Sequence, residues 1–123
     1  MRVARPGEAA YLDLPGGAID PGEDAQAALV REFGEETGLI VRPGALIASG
    51  AQFMRKTDGQ AVNTLCRVFE ATLMGESPTL KIEADHELEW REPFTLMRLL
   101  RHEAHAWAVL AWLRGWPAGR SDL

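Results

Sequence analysis

Three glutamates, Glu32, Glu35 and Glu36, stand at i, i+3 and i+4, so any helix that carries them presents all three on one face. At the end of a helix they oppose its dipole, and like charges at this spacing cost roughly a few tenths of a kcal/mol per pair. The segment holds no lysine, and only Arg31, four residues before Glu35, offsets any of this charge. A hard divalent cation, Mg²⁺ or Mn²⁺, is the compensation that clustered carboxylate oxygens suit. Taken alone, three acidic residues more often form a solvated face. The spacing of their surroundings decides against that reading.

The elements that would position them follow from local signals. An apolar run, Tyr11, Leu12 and Leu14, is broken by Pro15, Gly16 and Gly17 into a loop that reaches Pro21 and Gly22. A helix is predicted next, with Glu23 and Asp24 in its favourable first turn, Thr37 at its end and Gly38 as its stop. Leu29, Val30 and Phe33 lie on a different arc and are the predicted core contacts.

The whole stretch resembles the Nudix box. That pattern is Gly, five residues, Glu, seven residues, Arg-Glu, an aliphatic or aromatic residue, any residue, Glu-Glu, any residue, Gly and an apolar residue. It is met here at every specified position by Gly17, Glu23, Arg31, Glu32, Phe33, Glu35, Glu36, Gly38 and Leu39, with Leu14, Pro15, Gly16 and Gly17 as the flanking loop. The resemblance implies a single α/β domain over residues 1–123. It would be a Nudix-like α/β/α sandwich with a mixed β-sheet, shortened at the N-terminus and ending in a loose tail over 116–123. The implied activity is metal-dependent hydrolysis of the pyrophosphate in a nucleoside diphosphate linked to another moiety. By position, Glu32, Glu35 and Glu36 would ligate Mg²⁺ or Mn²⁺ beside the Gly16 carbonyl. Glu32 would also serve as a candidate base, while Arg31 and Glu23 would orient the carboxylates. A later carboxylate often joins the site in this family. Glu87 is the first choice, Glu89 the second, and Glu83 and Asp85 come after them. The alternative is a catalytically silent Nudix-fold module that binds nucleotide, against which the intact carboxylate set speaks.

Composition bounds the rest. With 123 residues, 46% of them apolar, one domain with its own core is expected, without linkers or repeats. The net charge of −5 argues against binding to duplex nucleic acid, and no apolar run suits a membrane span. Cys66 is the single cysteine, so a reducing cytoplasm is the expected compartment and the thiol is expected to pack within a strand. The chain begins almost at the box. A start codon placed too far downstream explains this as economically as a truly short N-terminus, and a homodimer partner is a candidate to cover the exposed sheet edge.

Downstream, short strands are predicted at 1–4, 10–14 and 39–41, a turn at Pro43-Gly44, and strands over 45–54 and 62–74. The last two are joined by an Asp58-Gly59 hairpin expected at the centre of the sheet. Arg55 and Lys56 at its tip are candidates to meet substrate phosphates, with solvated turn charges as the alternative. Residues 86–90 are predicted as a strand on which His86 is a polar end rather than a catalytic group, with contact to a phosphate as the alternative. One helix is predicted over 94–113, packing through Leu96, Leu99, Leu100, Trp107, Leu110 and Leu113. His102-Glu103-Ala104-His105 lacks the spacing of the metalloprotease zinc motif and is assigned to the exposed side of that helix. Trp107, Trp112 and Trp116 are expected in the core or at a dimer contact. Neither the proline nor the tyrosine that marks the ADP-ribose and dinucleoside-polyphosphate branches of the family is evident near residues 53–56.

Overall fold

Asp24 sets the start of the helix that carries the carboxylates, because its side chain accepts a hydrogen bond from the Ala27 N–H at 2.7 Å. The structure, a computed structural model, describes residues 1–55 and 58–115, with the side chains of 52–55 and 62–63 outside that description. Helix α1 spans Ala25–Thr37, and Gly38 closes it in the left-handed region at φ 77° while its N–H donates to the Gly34 carbonyl at 2.8 Å. Glu23 and Asp24 therefore precede the helix instead of occupying its first turn. Glu23 shapes the approach, accepting from the Asp20 N–H at 2.8 Å.

The strands are β1 (Arg2–Val3), β2 (Tyr11–Leu12), β3 (Leu39–Arg55), β4 (Ala61–Glu76) and β5 (His86–Glu87), with a 3₁₀ turn at Pro78–Leu80. They form two antiparallel sheets, one ordered β2-β1-β5 and the other a β3-β4 hairpin. A single parallel bridge, Leu12 to Leu100, adds to these among the described residues. The hairpin turn is the one the sequence indicated, with Gly59 at φ 86° and the Asp58 side chain accepting from the Gln60 N–H at 2.9 Å.

Two expectations about these strands are corrected. Pro43-Gly44 does not turn the chain. β3 runs straight through it with register shifts between Pro43 and Leu46 and between Leu46 and Ala48, because β4 continues opposite and a bulge absorbs the proline that cannot donate. Nor is the hairpin the centre of the other sheet, whose middle strand is β1.

The C-terminal segment is not one helix. It forms α2 (Pro93–Leu99), capped by the Glu92 side chain, and α3 (Glu103–Leu113), separated by an extended Leu100 at φ −68°, ψ 133°. The break serves a tertiary bond, since the Arg101 N–H donates to the Leu12 carbonyl at 3.0 Å. The predicted packing face holds only in part. Ala108 is the buried residue of α3, whereas Trp107 and Trp112 are 63% and 40% exposed and so are not core; Trp116 lies outside the described residues. On α1, likewise, Val30 is exposed, and Ala28, Gly34 and Glu36 are the buried positions.

Helices α1 and α3 both pack on β3, which gives an α/β/α sandwich. Its core is built from Met1, Val3, Leu12, Ala28, Leu39, Val41 and Ala108. No helix among the described residues is long and apolar enough to cross a membrane.

Candidate active site

Glu36, at the end of α1, is the least exposed of the acidic residues, at 5%. Its Oε1 accepts from the Gly16 N–H at 2.8 Å, and its Oε2 lies 3.3 Å from His86 Nε2. Gly16 can aim its amide this way because it sits at φ 151°, a conformation that side-chain-bearing residues rarely adopt. Burial is the main reason the Glu36 carboxyl is pushed up to about 7; the Gly16 bond works against it, and the negative charges of Glu32, Glu83 and Asp13 add to it.

Arg31 organises the other carboxylates. Its five N–H groups all find acceptors: Glu23 twice, at 2.7 and 3.1 Å, Glu32 at 2.8 Å, Glu35 at 3.2 Å and the Ala18 carbonyl at 2.9 Å. The Glu23 carboxyl is held below its ordinary range, first by the Arg31 guanidinium and then by the Asp20 N–H. One guanidinium thus ties the loop to the face that carries Glu32 and Glu35. The Glu32 carboxyl also lies directly over Gly17, where an added Cβ would come within 2.4 Å of Glu32 Cδ. Gly17 is therefore a close-approach position.

The segment after β4 closes the site from the other side. Ile82 and Glu83 donate their N–H groups to the Glu35 carbonyl at 2.9 and 3.1 Å, satisfying an end-of-helix acceptor and bringing Glu83 beside the cluster. On β5 the pleat buries His86 against Glu36, and Glu87, the next residue, is exposed. Glu83 is the late carboxylate whose charge bears on Glu36. Asp85 instead bonds His86 Nδ1 at 2.6 Å and Arg5 Nε at 3.1 Å, and Glu89 pairs with Arg91. His86 therefore joins the site, although the sequence marks it only as a polar strand end and alternation does not say whether it or Glu87 faces in. Arg55 ends β3, but its side chain and Lys56 lie outside the described residues.

The donor set fits a hard divalent cation. Glu32, Glu35 and Glu36 share the last turns of α1, the charge of Glu83 bears on Glu36, and all four offer oxygen ligands.

A model of the NUDIX domain matches residues 2–113. A Bacillus subtilis (strain 168) protein named "Putative 8-oxo-dGTP diphosphatase" is 69% identical over 26 residues, which are 21% of this chain and only 17% of that protein's length. The solution structure of the E. coli ORF135 protein matches with a TM-score of 0.61 at 24% identity, covering 98% of this chain and 82% of that one. That likeness concerns the fold.

Proposed function

The chain belongs to the Nudix family, and from that premise we propose that it is a divalent-metal-dependent hydrolase cleaving the pyrophosphate of a nucleoside diphosphate linked to another moiety. The observation that carries this reading is Glu36, a carboxylate only 5% exposed at the end of the α1 acidic face and held there by the Gly16 N–H of the glycine loop. Glu32, Glu35 and Glu36 would hold Mg²⁺ or Mn²⁺, with the Gly16 carbonyl beside them and a later carboxylate, Glu87 or Glu83, joining the set. The bound ion supplies charge neutralisation for the pyrophosphate oxygens and lowers the pKa of water.

The protein's own residues do the rest. Arg31 fixes the orientation of Glu32 and Glu35, so their oxygens are preorganised and need not be gathered when substrate arrives. The Gly16 N–H and His86 fix Glu36. Glu32, whose carboxyl lies over Gly17, would be the base that accepts the proton of the attacking water. With a net charge of −5, the protein attracts a polyanionic substrate through the ion and not through its general field. The lone cysteine supports a reducing, cytoplasmic setting. A homodimer remains the proposed cover for the free edges of the β2-β1-β5 sheet, to be read from the solution mass.

The deciding experiment is a panel of nucleoside triphosphates, nucleotide sugars, ADP-ribose and dinucleoside polyphosphates, each with Mg²⁺ or Mn²⁺. The diphosphatase relative puts nucleoside triphosphates first. Metal-dependent release of a phosphate or nucleotide product is expected. Nucleotide binding without product would replace this reading by the silent module.

A further inference from the structure

Asp13, His102 and His105 form a second cluster, which the proposed hydrolysis does not use. Asp13 follows β2, His102 stands at the start of α3 and His105 lies three residues on. The break between α2 and α3 assembles them, since pinning Arg101 to Leu12 brings the first turn of α3 against the end of β2. His102 Nδ1 and His105 Nδ1 lie 2.7 and 3.2 Å from the same oxygen, Asp13 Oδ1. One ligand atom from each of the three residues falls within 4.8 Å of the other two. The side chains are largely withdrawn from solvent, at 12% exposure for Asp13, 20% for His102 and 17% for His105.

The hydrogen bonding around His105 leaves one neighbour unserved. The Leu14 N–H points at His105 Nδ1 from 3.3 Å while Asp13 Oδ1 lies 3.2 Å from it, so one nitrogen faces a donor and an acceptor together. With a proton it serves Asp13 and not Leu14; with a lone pair it serves Leu14 and opposes Asp13. Packing closed around a finished polar network would not leave that conflict.

We propose that Asp13, His102 and His105 form a binding site for a zinc-type divalent transition-metal ion, separate from the carboxylates of α1. Two imidazole nitrogens and one carboxylate oxygen are borderline donors that suit zinc, whereas the all-oxygen cluster suits magnesium. With metal–ligand bonds of about 2.0 Å, adjacent donors of a tetrahedron lie about 3.3 Å apart. The His105–Asp13 separation of 3.2 Å meets that requirement, and the His102 separation of 2.7 Å needs to open by only a fraction of an ångström. Water takes the fourth position, and Cys66, which hydrogen-bonds His105, supports that ring from outside the ligand set. A metal there fastens α3 to the strand that leads directly into the Leu14–Pro15–Gly16–Gly17 loop.

The test uses the full chain in saturating Mg²⁺, which occupies the carboxylate cluster, with Co²⁺ titrated as a spectroscopic stand-in for zinc. One equivalent should give the intense visible bands of four-coordinate cobalt, and Zn²⁺ should bleach them. Glu36→Gln should keep those bands, and a His102→Ala/His105→Ala double variant should lose them along with at least ~10-fold in Zn²⁺ affinity. Only the weak bands of six-coordinate cobalt, or bands that disappear with Glu36→Gln, would overturn the proposal. Because the double variant removes packing as well as ligands, ¹⁵N spectra of the three histidines in the unaltered protein provide a second reading. Added Zn²⁺ should move the Nδ1 resonances of His102 and His105 and leave His86 in place; unmoved Nδ1 resonances of the pair would refute it.

Discussion

Two withdrawn carboxyls, Glu36 and Asp13, meet opposite electrostatic fates. Glu36 sits among other acids and is pushed up to about 7. Asp13 also loses hydration, yet the hydrogen bonds from His105 and His102 outweigh that burial and hold it below its ordinary value. His105 moves in step. Burial alone would lower it, but bonding to Asp13 and Cys66 raises it to about 9. The comparison teaches that burial by itself does not mark a reactive carboxyl. What differs is the company: Asp13 faces two histidines, whereas Glu36 faces His86 and other acids, and the arginine of α1 pairs with Glu23, Glu32 and Glu35 instead.

The contrast breaks most readily at Glu36. Glu36→Gln should lower Mg²⁺- or Mn²⁺-dependent turnover about 10³-fold while circular dichroism stays native; unchanged turnover would detach the catalytic reading from this residue. A second expectation concerns stability without added metal, and both clusters contribute. The native state holds the Glu36 proton more tightly than the unfolded chain does, so this contribution declines as pH rises from about 4.5 to about 7. His105 contributes fully below its ordinary 6.5, and that stabilisation is lost as pH rises through about 9. At about 1.4 kcal/mol per pH unit, each decline amounts to about 3 kcal/mol. Urea titrations across pH should show both. Mg²⁺ or Glu36→Gln should flatten the first, and His105→Gln the second.

Smaller effects sharpen the same comparison. Arg31→Met frees Glu32 and Glu35 without touching Glu36, and turnover at limiting Mg²⁺ should fall about 10- to 100-fold, with partial recovery at high Mg²⁺. Gly17→Ala should be milder, because the clash falls on the end of the Glu32 side chain and not on backbone. About a 10-fold loss in metal affinity with little change in melting temperature is the expected result, read by calorimetry.

The local signals were legible in proportion to how local the causes are. The carboxylate face of α1, the Gly38 stop and the Asp58-Gly59 turn each depend on a few adjacent residues, and each is where the sequence indicated. The bulge at Pro43 depends on β4 arriving opposite, and the break at Leu100 on a bond to Leu12; neither partner lies within reach of a sequence window. Arg101, His102 and Glu103 include no glycine or proline to announce an interruption, so the helical period of 94–113 read through it. The same break turns His102 and His105 toward Asp13 and leaves Trp107 and Trp112 exposed. His86 and Glu87 show the limit at the site itself, since strand alternation says that one faces in and the other out but not which.

The order β2-β1-β5 has a kinetic meaning. Arg2 registers with Leu12 on one side and with Glu87 on the other, so the earliest strand of the chain waits for one of the latest. Closing so long a loop is entropically slow compared with zipping the β3-β4 hairpin. During synthesis, then, the hairpin and α1 can assemble early, and His86 reaches Glu36 only at the step that completes this sheet.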